Sequence, residues 1–279
     1  MKLIDLHVHT SVSDGSYSPS EIVTLAENTG LSAIAITDHD AISGYYEASE
    51  AAGKSIEVIP GIEFNTKFKT AVHILGYYID PDNRPLKETI QSIIDDRDIR
   101  NEKVVSLMKA DGINITYSEM KQRFGEIVGR PHFSEILIEN GIVSSVDEAF
   151  KKYFNKDKKY WVPRTTLSIE TCISLILGAG GIPVIAHPFE YNLEKVTLND
   201  LISECIKYGV MGIECRHSSH TPGQMAYLEN LADDYGLLKT GGSDFHGTIK
   251  PDIKLGSGKG SVSVPYAWLE KLKNEKERI

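Results

Sequence analysis

The chain has 279 residues, of which 41% are hydrophobic and 25% are charged, and its formal net charge at pH 7 is −9. These values describe a folded globular protein, either one large α/β domain or a domain with an insertion, and they exclude a disordered chain. No apolar run approaches the roughly 18 residues of a membrane span, and the N-terminal apolar run is too short for a signal peptide. We expect a cytoplasmic protein with no membrane partner, no obligate protein partner and no broad electrostatic grip on nucleic acid.

Seven short apolar segments alternate with helical patterns along the chain, which predicts a parallel α/β architecture. The segments are residues 3–8, 32–37, 56–62, 72–79, 181–186, 210–215 and 237–242. Between the first two, Ser18 is placed to cap a helix that has Pro19 in its first turn and ends at Gly30. This arrangement is one βαβ unit, and the later helical patterns also stop at glycine.

Residues 82–165 interrupt the alternation with long charged helical patterns and no convincing strand. We interpret this stretch as an inserted helical domain, and residues 1–81 and 166–279 as the domain that carries it. The insertion holds 15 of the 30 lysines and arginines. Two explanations stay open: solvated helices that carry many lysines, or a cap that helps to bind an anionic substrate.

Histidine and carboxylate side chains recur where the apolar segments end. His7 and His9 stand two residues apart at a strand end and project from the same face, but such a pair alone is weak evidence for a metal. Seven further groups follow the same pattern: Asp14, His39, Glu63, His73, His187, Asp244 and His246. Loops after the strands of a parallel barrel gather at one face, so all nine groups can converge there. Imidazole and carboxylate ligands without thiolates suit zinc, manganese or iron.

Six motifs resemble, in order, those of the polymerase and histidinol phosphatase (PHP) family: DLHVHT with SDG, ITDHD, PGIEF, VHILGY, AHP and GSDFH. They extend over residues 5–246. The insertion, which contains GRPHF, is similar to that of stand-alone phosphoesterases acting on nucleoside 3′,5′-bisphosphates and short RNA ends. The resemblance implies an α/β fold, a distorted (β/α)₇ TIM-like barrel with an inserted helical domain.

The resemblance also implies a trinuclear centre of two to three divalent ions (Zn, Mn or Fe). One cation takes His7, His9, Glu63 and Asp244; a second shares Glu63 with His73 and His187; a third takes Asp14, His39 and His246. Some relatives have histidine at the Asp14 position, so the third cation is the least defined. The complete ligand set favours an active enzyme that hydrolyses a phosphate ester by attack of a metal-activated hydroxide.

Four side chains outside the ligand set are candidates for contact with substrate. Arg130 and His132 lie in the insertion, where an arginine can fork onto a phosphate. Arg216 and His217 follow the apolar segment 210–215, and His217 is the candidate catalytic side chain that assists the leaving group. For each of them an ordinary helix-start or loop role stays open. We expect His220, in SSHTPG, to be a solvated turn residue.

We therefore expect a metal-dependent phosphoesterase whose partner is a phosphorylated small molecule or nucleotide. The alternatives are a 5′→3′ exonuclease on short RNA or DNA, a histidinol-phosphatase-like enzyme, and a non-catalytic metal-binding module. For the exonuclease the partner is a short single-stranded nucleic acid. Tyr153, Tyr160 and Trp161, which lie in a basic run, can then stack bases, although packing of the insertion is the other explanation.

Overall fold

The computed structural model describes residues 2–125, 127–163, 166–191 and 197–279. Its strands are β1 (Leu3–Val8), β2 (Ala33–Ile36), β3 (Glu57–Phe68), β4 (Thr70–Tyr77), β5 (Leu167–Ser168), β6 (Ile182–Ile185), β7 (Gly212–His217), β8 (Leu238–Gly242) and β9 (Val264–Pro265). Its α-helices are α1 (Pro19–Thr29), α2 (Gly44–Ala52), α3 (Arg84–Ala110), α4 (Tyr117–Phe124), α5 (Arg130–Glu139), α6 (Val146–Ala149), α7 (Ile169–Gly178), α8 (Leu198–Tyr208), α9 (Pro222–Tyr235) and α10 (Tyr266–Lys276).

All nine strands belong to one sheet, in the order β8-β7-β6-β4-β3-β2-β1-β9, with β5 paired to β3. Parallel pairs flank the sheet centre, and they join β1 to β2, β2 to β3, β6 to β7 and β7 to β8. The seven predicted apolar segments correspond to β1, β2, β3, β4, β6, β7 and β8. The prediction of a distorted seven-stranded barrel is therefore confirmed, and only the two-residue strands β5 and β9 were missed.

Strand β4 runs antiparallel to both of its neighbours in the otherwise largely parallel barrel, a reversal that the alternation of segments did not indicate. It pairs antiparallel with β3, from Gly61 opposite Tyr77 to Phe68 opposite Thr70, and antiparallel with β6. The chain reverses directly at Lys69, whose φ is 48°, instead of crossing over through a helix. Because β4 is reversed, its first half lies at the edge where the parallel strands end.

The barrel closes where β1 approaches β8. The Asp244 backbone N–H, just after β8, donates to His7 O within β1 (2.9 Å), and the His9 N–H, just after β1, donates to Phe245 O (3.0 Å). Gly242 makes this approach feasible, since a Cβ at that position would lie only 2.4 Å from the Cβ of His7. The first and last barrel strands therefore meet beside the candidate ligands.

Local sequence explains why the outer helices begin and end where they do. Ser18 and Glu21 form a capping box at the start of α1, and Gly30 ends the helix with φ 76°, as predicted. The buried face of α1 includes Ile22, Val23 and Ala26. Cys172, Cys205 and Cys215 are buried free thiols. Within the described residues, no helix combines the length and apolar character needed to cross a membrane.

The predicted insertion is helical: described residues 82–125 and 127–163 form α3 to α6 and a π-helical turn (Phe150–Phe154), with no strand among them. These helices share an apolar core that includes Met108, Phe133 and Phe154. A buried ion pair between Arg97 of α3 and Asp40, which follows β2, joins the insertion to the barrel. The boundaries of 82–165 as a separate domain stay a prediction.

Candidate metal centre

The structure brings all nine predicted ligand side chains together at one end of the barrel. Glu63 lies at the middle of the cluster and is 1% exposed. Its carboxylate oxygens lie 2.8 to 3.3 Å from ring nitrogens of five histidines: His7, His9, His39, His73 and His187. His73 reaches Glu63 from the first half of β4, which explains how an antiparallel strand contributes to the site.

Two further carboxylates extend the cluster. Asp244 Oδ1 lies 3.2 Å from His9 Nε2 and 3.5 Å from His7 Nε2. Asp14 Oδ1 lies 3.4 Å from His246 Nε2. Asp244 has a left-handed backbone, with φ 55°, a conformation that non-glycine residues adopt at a cost and that is common at functional sites.

The side chains fall into groups whose ligand atoms lie within 4.8 Å of one another. One group coincides with the set implied for the first cation: His7, His9, Glu63 and Asp244. Another contains the set implied for the third cation and adds His9: His9, Asp14, His39 and His246. A third group joins His39, Glu63 and His73, and His187 Nε2 lies 2.9 Å from the same Glu63 carboxylate.

Unpartnered buried nitrogens test whether this cluster fits cations. In the part of the chain that the structure describes, five imidazole nitrogens are buried without a hydrogen-bond partner. Four of them lie at this site, His7 Nε2, His9 Nε2, His187 Nδ1 and His217 Nε2, and the fifth is His220 Nε2. An unsatisfied buried polar atom costs about 1–3 kcal/mol, so such a cluster is unfavourable unless another group satisfies it. Nitrogen and carboxylate oxygen donors at these separations fit divalent transition-metal ions.

The electrostatics of the cluster keep its carboxylates ionised. Burial by itself would raise the pKa of Glu63, but His39 and His73 outweigh it and hold this pKa well below its usual value. Burial would lower the pKa of His9, yet the neighbouring carboxylates of Asp244 and Glu63 raise it to about 9. Burial lowers the pKa of His39 to about 3. The cluster thus concentrates negative charge that imidazolium protons or cations balance.

Two buried carboxylates that sequence reasoning missed orient the ligands. Glu214 Oε1 lies 3.0 Å from His7 Nδ1, and Glu214 Oε2 accepts a hydrogen bond from the His187 backbone N–H (2.7 Å). Asp5 accepts a hydrogen bond from the Ser243 backbone N–H (2.8 Å), next to Asp244. By engaging Nδ1, Glu214 leaves His7 Nε2 directed at the cluster. The sequence feature that could have identified Asp5 and Glu214 is a carboxylate within an otherwise apolar segment.

His217 joins the cluster. Its Nε2 lies 3.6 Å from Asp244 Oδ2, and its ring centre lies 5.2 Å from that of His187. Lys250, which sequence reasoning missed, also reaches Asp244 Oδ2, at 2.7 Å. The expectation of a solvated His220 was wrong: this residue is 3% exposed, lies with its ring 5.3 Å from that of His217, and has its pKa lowered by burial to about 4.

Arg130 lies at the mouth of the cluster. It lines a cavity of about 170 Å³ together with Asp14, His39 and His73. Its guanidinium carbon lies 5.1 Å from the centre of the Phe150 ring, so an aromatic side chain from the insertion holds it in place. The geometry therefore keeps Arg130 as a candidate for contact with a phosphate.

The structure does not bring His132 to the cavity. His132 Nδ1 accepts a hydrogen bond from the Gly129 N–H (3.0 Å) at the start of α5, and its ring stacks on Phe124. The His132 side chain therefore caps α5. In the sequence, only its position shortly after Arg130 had indicated a role in the site. It is not among the residues that line the cavity.

Arg216 also lies outside the site. Its Nε donates to Glu229 Oε1 (2.7 Å), and its guanidinium lies over the Trp268 ring at 4.7 Å. These partners belong to α9 and α10, in the outer helical layer. Arg216 lies within β7, where successive residues point to opposite sides, so its position in the sequence did not determine on which side of the barrel its side chain lies.

The aromatic residues of the basic run divide into two roles. Tyr153 and Tyr160 stack on each other with ring centres 5.2 Å apart, and the Tyr160 hydroxyl donates to Asp111. Both belong to the apolar core of the insertion or pack against it. Trp161 instead lines a cleft beside the cavity.

Comparison with known proteins places these features in a family. The PHP domain family matches residues 5–162. A 3′,5′-nucleoside bisphosphate phosphatase from Chromobacterium violaceum is 33% identical over 250 residues, which cover 88% of each chain. A 5′-3′ exoribonuclease from Haemophilus influenzae is 34% identical over 247 residues, 88% of this chain and 90% of that protein.

Solved structures show the same relationship. A protein assigned as a metal-dependent phosphoesterase from Bifidobacterium adolescentis superposes with a TM-score of 0.86 at 28% identity, covering 97% of this chain and 95% of that chain. A Chromobacterium violaceum protein called an amidohydrolase, with bound sulfate and no metal, gives a TM-score of 0.82 at 32% identity, covering 91% and 89%. Fold, cluster and relatives together define a metal-dependent phosphoesterase. The chain belongs to the PHP domain family.

Proposed function

We propose that this enzyme hydrolyses a phosphate ester of a small nucleotide, such as a nucleoside 3′,5′-bisphosphate, at a centre of two to three Zn, Mn or Fe ions. The observation that carries the proposal is Glu63, buried among five imidazoles and accompanied by Asp14 and Asp244. The names of the relatives from Chromobacterium violaceum and Haemophilus influenzae support a nucleotide or an RNA end as the substrate.

The ligands divide in this proposal as the family resemblance implies. Glu63, His7, His9 and Asp244 would hold one cation, and Glu63, His73 and His187 would hold a second. Asp14, His39 and His246 would hold a third. Bound cations supply an acidified water as nucleophile and offset negative charge on the phosphoryl oxygens.

The remaining side chains orient the candidate metal ligands or act on the substrate. Glu214 fixes the His7 ring through Nδ1 and the backbone before Pro188 through the His187 N–H. Arg130, at the cavity mouth, binds a non-bridging phosphate oxygen. His217 stands beside Asp244 with Nε2 unpartnered among the described residues, and this nitrogen holds the proton that the leaving oxygen takes up.

A second candidate function is 5′→3′ exonuclease action on short RNA. It uses the same cluster but requires room for nucleotides beyond the scissile phosphate. The observation that favours it is the cleft that Trp161 lines, which also contains Lys67 and Lys156 and continues from the cavity. A histidinol-phosphatase-like activity and a non-catalytic role have no comparable observation in their favour.

The test is a substrate panel assayed with manganese and with zinc. It contains a nucleoside 3′,5′-bisphosphate, 5′-phosphorylated oligonucleotides, histidinol phosphate and a generic phosphomonoester. We expect kcat/KM to be highest for a nucleotide. His9→Ala and Asp244→Ala are expected to abolish turnover with the fold retained, whereas Asp233→Ala, on the exposed surface of α9, serves as the control. Activity retained in both cluster variants would overturn the proposed site.

A further inference from the structure

A second cavity, the basic cleft, adjoins the cavity at the metal centre. It has a volume of about 580 Å³ and lies between the β3–β4 hairpin and the insertion. Five cationic side chains and one indole define it: Lys67, Lys69, Arg100, Arg130, Lys156 and Trp161. Its volume falls within the roughly 300–1,000 Å³ that enclose a drug-sized ligand.

The charge of the basic cleft is opposite to that of the molecule. The chain has a net charge of −9, yet no aspartate or glutamate is among the residues that line this cleft in the described structure. In the same described part of the chain, no salt bridge joins Lys67 or Lys156 to a carboxylate, and both side chains are exposed. Unpaired lysines grouped around a concave surface favour an anion.

The two cavities are continuous. Asn65, His73, Arg100 and Arg130 line both of them, so the wall of the basic cleft begins at a candidate metal ligand. A molecule whose terminal phosphate sits at the metal centre and passes Arg130 therefore enters the basic cleft. This continuity distinguishes the cleft from an ordinary patch of surface lysines.

The basic cleft also offers an apolar surface. Trp161 is half-buried, and among the ring pairs in the described structure its indole stacks on none. Phe154 and Val162 lie in the same wall. Cationic side chains along a groove, combined with an available aromatic face, are what single-stranded nucleic acid requires: phosphates pair with the cations and a base stacks on the ring.

We propose that the basic cleft binds the nucleotides that follow a terminal phosphate held at the metal centre. Phosphates of a short single strand lie along Lys67 and Lys156, and a base packs on Trp161. This inference rests on the proposed phosphoesterase function and extends its substrate class from mononucleotides to short 5′-phosphorylated oligonucleotides. It also gives the basic insertion a role: one wall of the substrate site.

The experiment measures binding separately from turnover. A dye-labelled, 5′-phosphorylated pentanucleotide with hydrolysis-resistant linkages is titrated with the manganese-loaded protein at several salt concentrations, followed by fluorescence anisotropy. Lys67→Glu and Lys156→Glu are compared with Lys103→Glu, an exposed lysine of α3 that lines neither cavity. Each lost phosphate contact lowers the slope of log K against log salt by about 0.7.

We expect both cleft variants to weaken binding and lower the salt slope, and Lys103→Glu to match the wild type. Trp161→Ala is expected to raise the Kd roughly tenfold, while Trp161→Phe retains most of the affinity. A parallel assay compares kcat/KM for the pentanucleotide with that for a nucleoside 3′,5′-bisphosphate, and we expect this ratio to fall in the cleft variants.

Two results would overturn the inference: cleft variants that bind as Lys103→Glu does, or a wild type that binds the pentanucleotide no more tightly than the bisphosphate. Failure of the proposed function gives a different result. In that case the manganese-loaded wild type hydrolyses no member of the substrate panel, whatever its affinity for the pentanucleotide.

Discussion

Glu214 offers the sharpest test of how the barrel orients its ligands, through the variant Glu214→Gln. The change keeps the size of the side chain but turns one acceptor oxygen into an NH₂ donor. In the wild type, Oε1 lies 3.0 Å from His7 Nδ1 and Oε2 accepts from the His187 N–H at 2.7 Å. A glutamine amide cannot reproduce both contacts.

Either orientation of the amide has a cost. If the NH₂ group faces His7 Nδ1, the ring carries its proton on Nε2, which then cannot bind a cation. If the NH₂ group faces the His187 N–H, two donors oppose each other, which costs about 1–3 kcal/mol. Loss of a group that orients a metal ligand typically lowers metal affinity or activity by about 10- to 100-fold, and we expect an effect of this size.

The assay is a manganese titration in competition with a fluorescent chelator, followed by kcat/KM at saturating manganese. Glu229→Gln is the matched control, because this carboxylate pairs with Arg216 on the outer side of the barrel. We expect Glu214→Gln to raise the Kd for manganese and Glu229→Gln to leave it unchanged. Equal Kd values for the two variants would refute the role of Glu214.

Three further predictions concern stability. Gly242→Ala places a methyl group where β8 meets β1, so we expect the free energy of unfolding in urea to fall by about 1–3 kcal/mol. Gly223→Ala, at a position with open space around it, should leave this free energy unchanged, and equal unfolding curves for the two variants would contradict the reasoning. Arg97→Ala leaves Asp40 buried without its ion-pair partner and should cost about 3–5 kcal/mol, and an unchanged unfolding midpoint would argue against that pair. Manganese at a 100-fold excess over its Kd should add about 2.7 kcal/mol to the free energy of unfolding. A chelator should reverse this gain, and His9→Ala should show a smaller one. An unchanged melting temperature would count against the metal centre.

The sequence carried enough information to predict the barrel and the cluster. Strand positions followed from runs of apolar residues, and the start and end of α1 followed from Ser18, Pro19 and Gly30, which act locally. Most of the nine candidate ligands were recognisable because they stand at or after the end of an apolar segment, whereas His73 stands at the start of its segment and reaches the same edge because β4 is reversed. Their convergence then followed from topology, since strand ends of a barrel share a face.

Features that depend on the path of the chain in three dimensions were not predictable. The reversal of β4 follows from a hairpin at Lys69 that no glycine or proline marks. Arg216 and His217 are adjacent in sequence, yet one lies against the outer helices and the other against Asp244. Glu214 acts through two contacts with residues that lie 207 and 27 positions away in the sequence. Such long-range pairings leave no local pattern.

The closure of the barrel beside its ligands links assembly to function. Backbone hydrogen bonds from Asp244 N–H to His7 O and from His9 N–H to Phe245 O join the end of β1 to the segment that follows β8. In the proposed function, a cation held by Asp244, His7 and His9 would therefore also connect β1 to the segment that follows β8. We expect such an ion to bind tightly only once β8 has docked on β1, which would link metal loading to closure of the barrel.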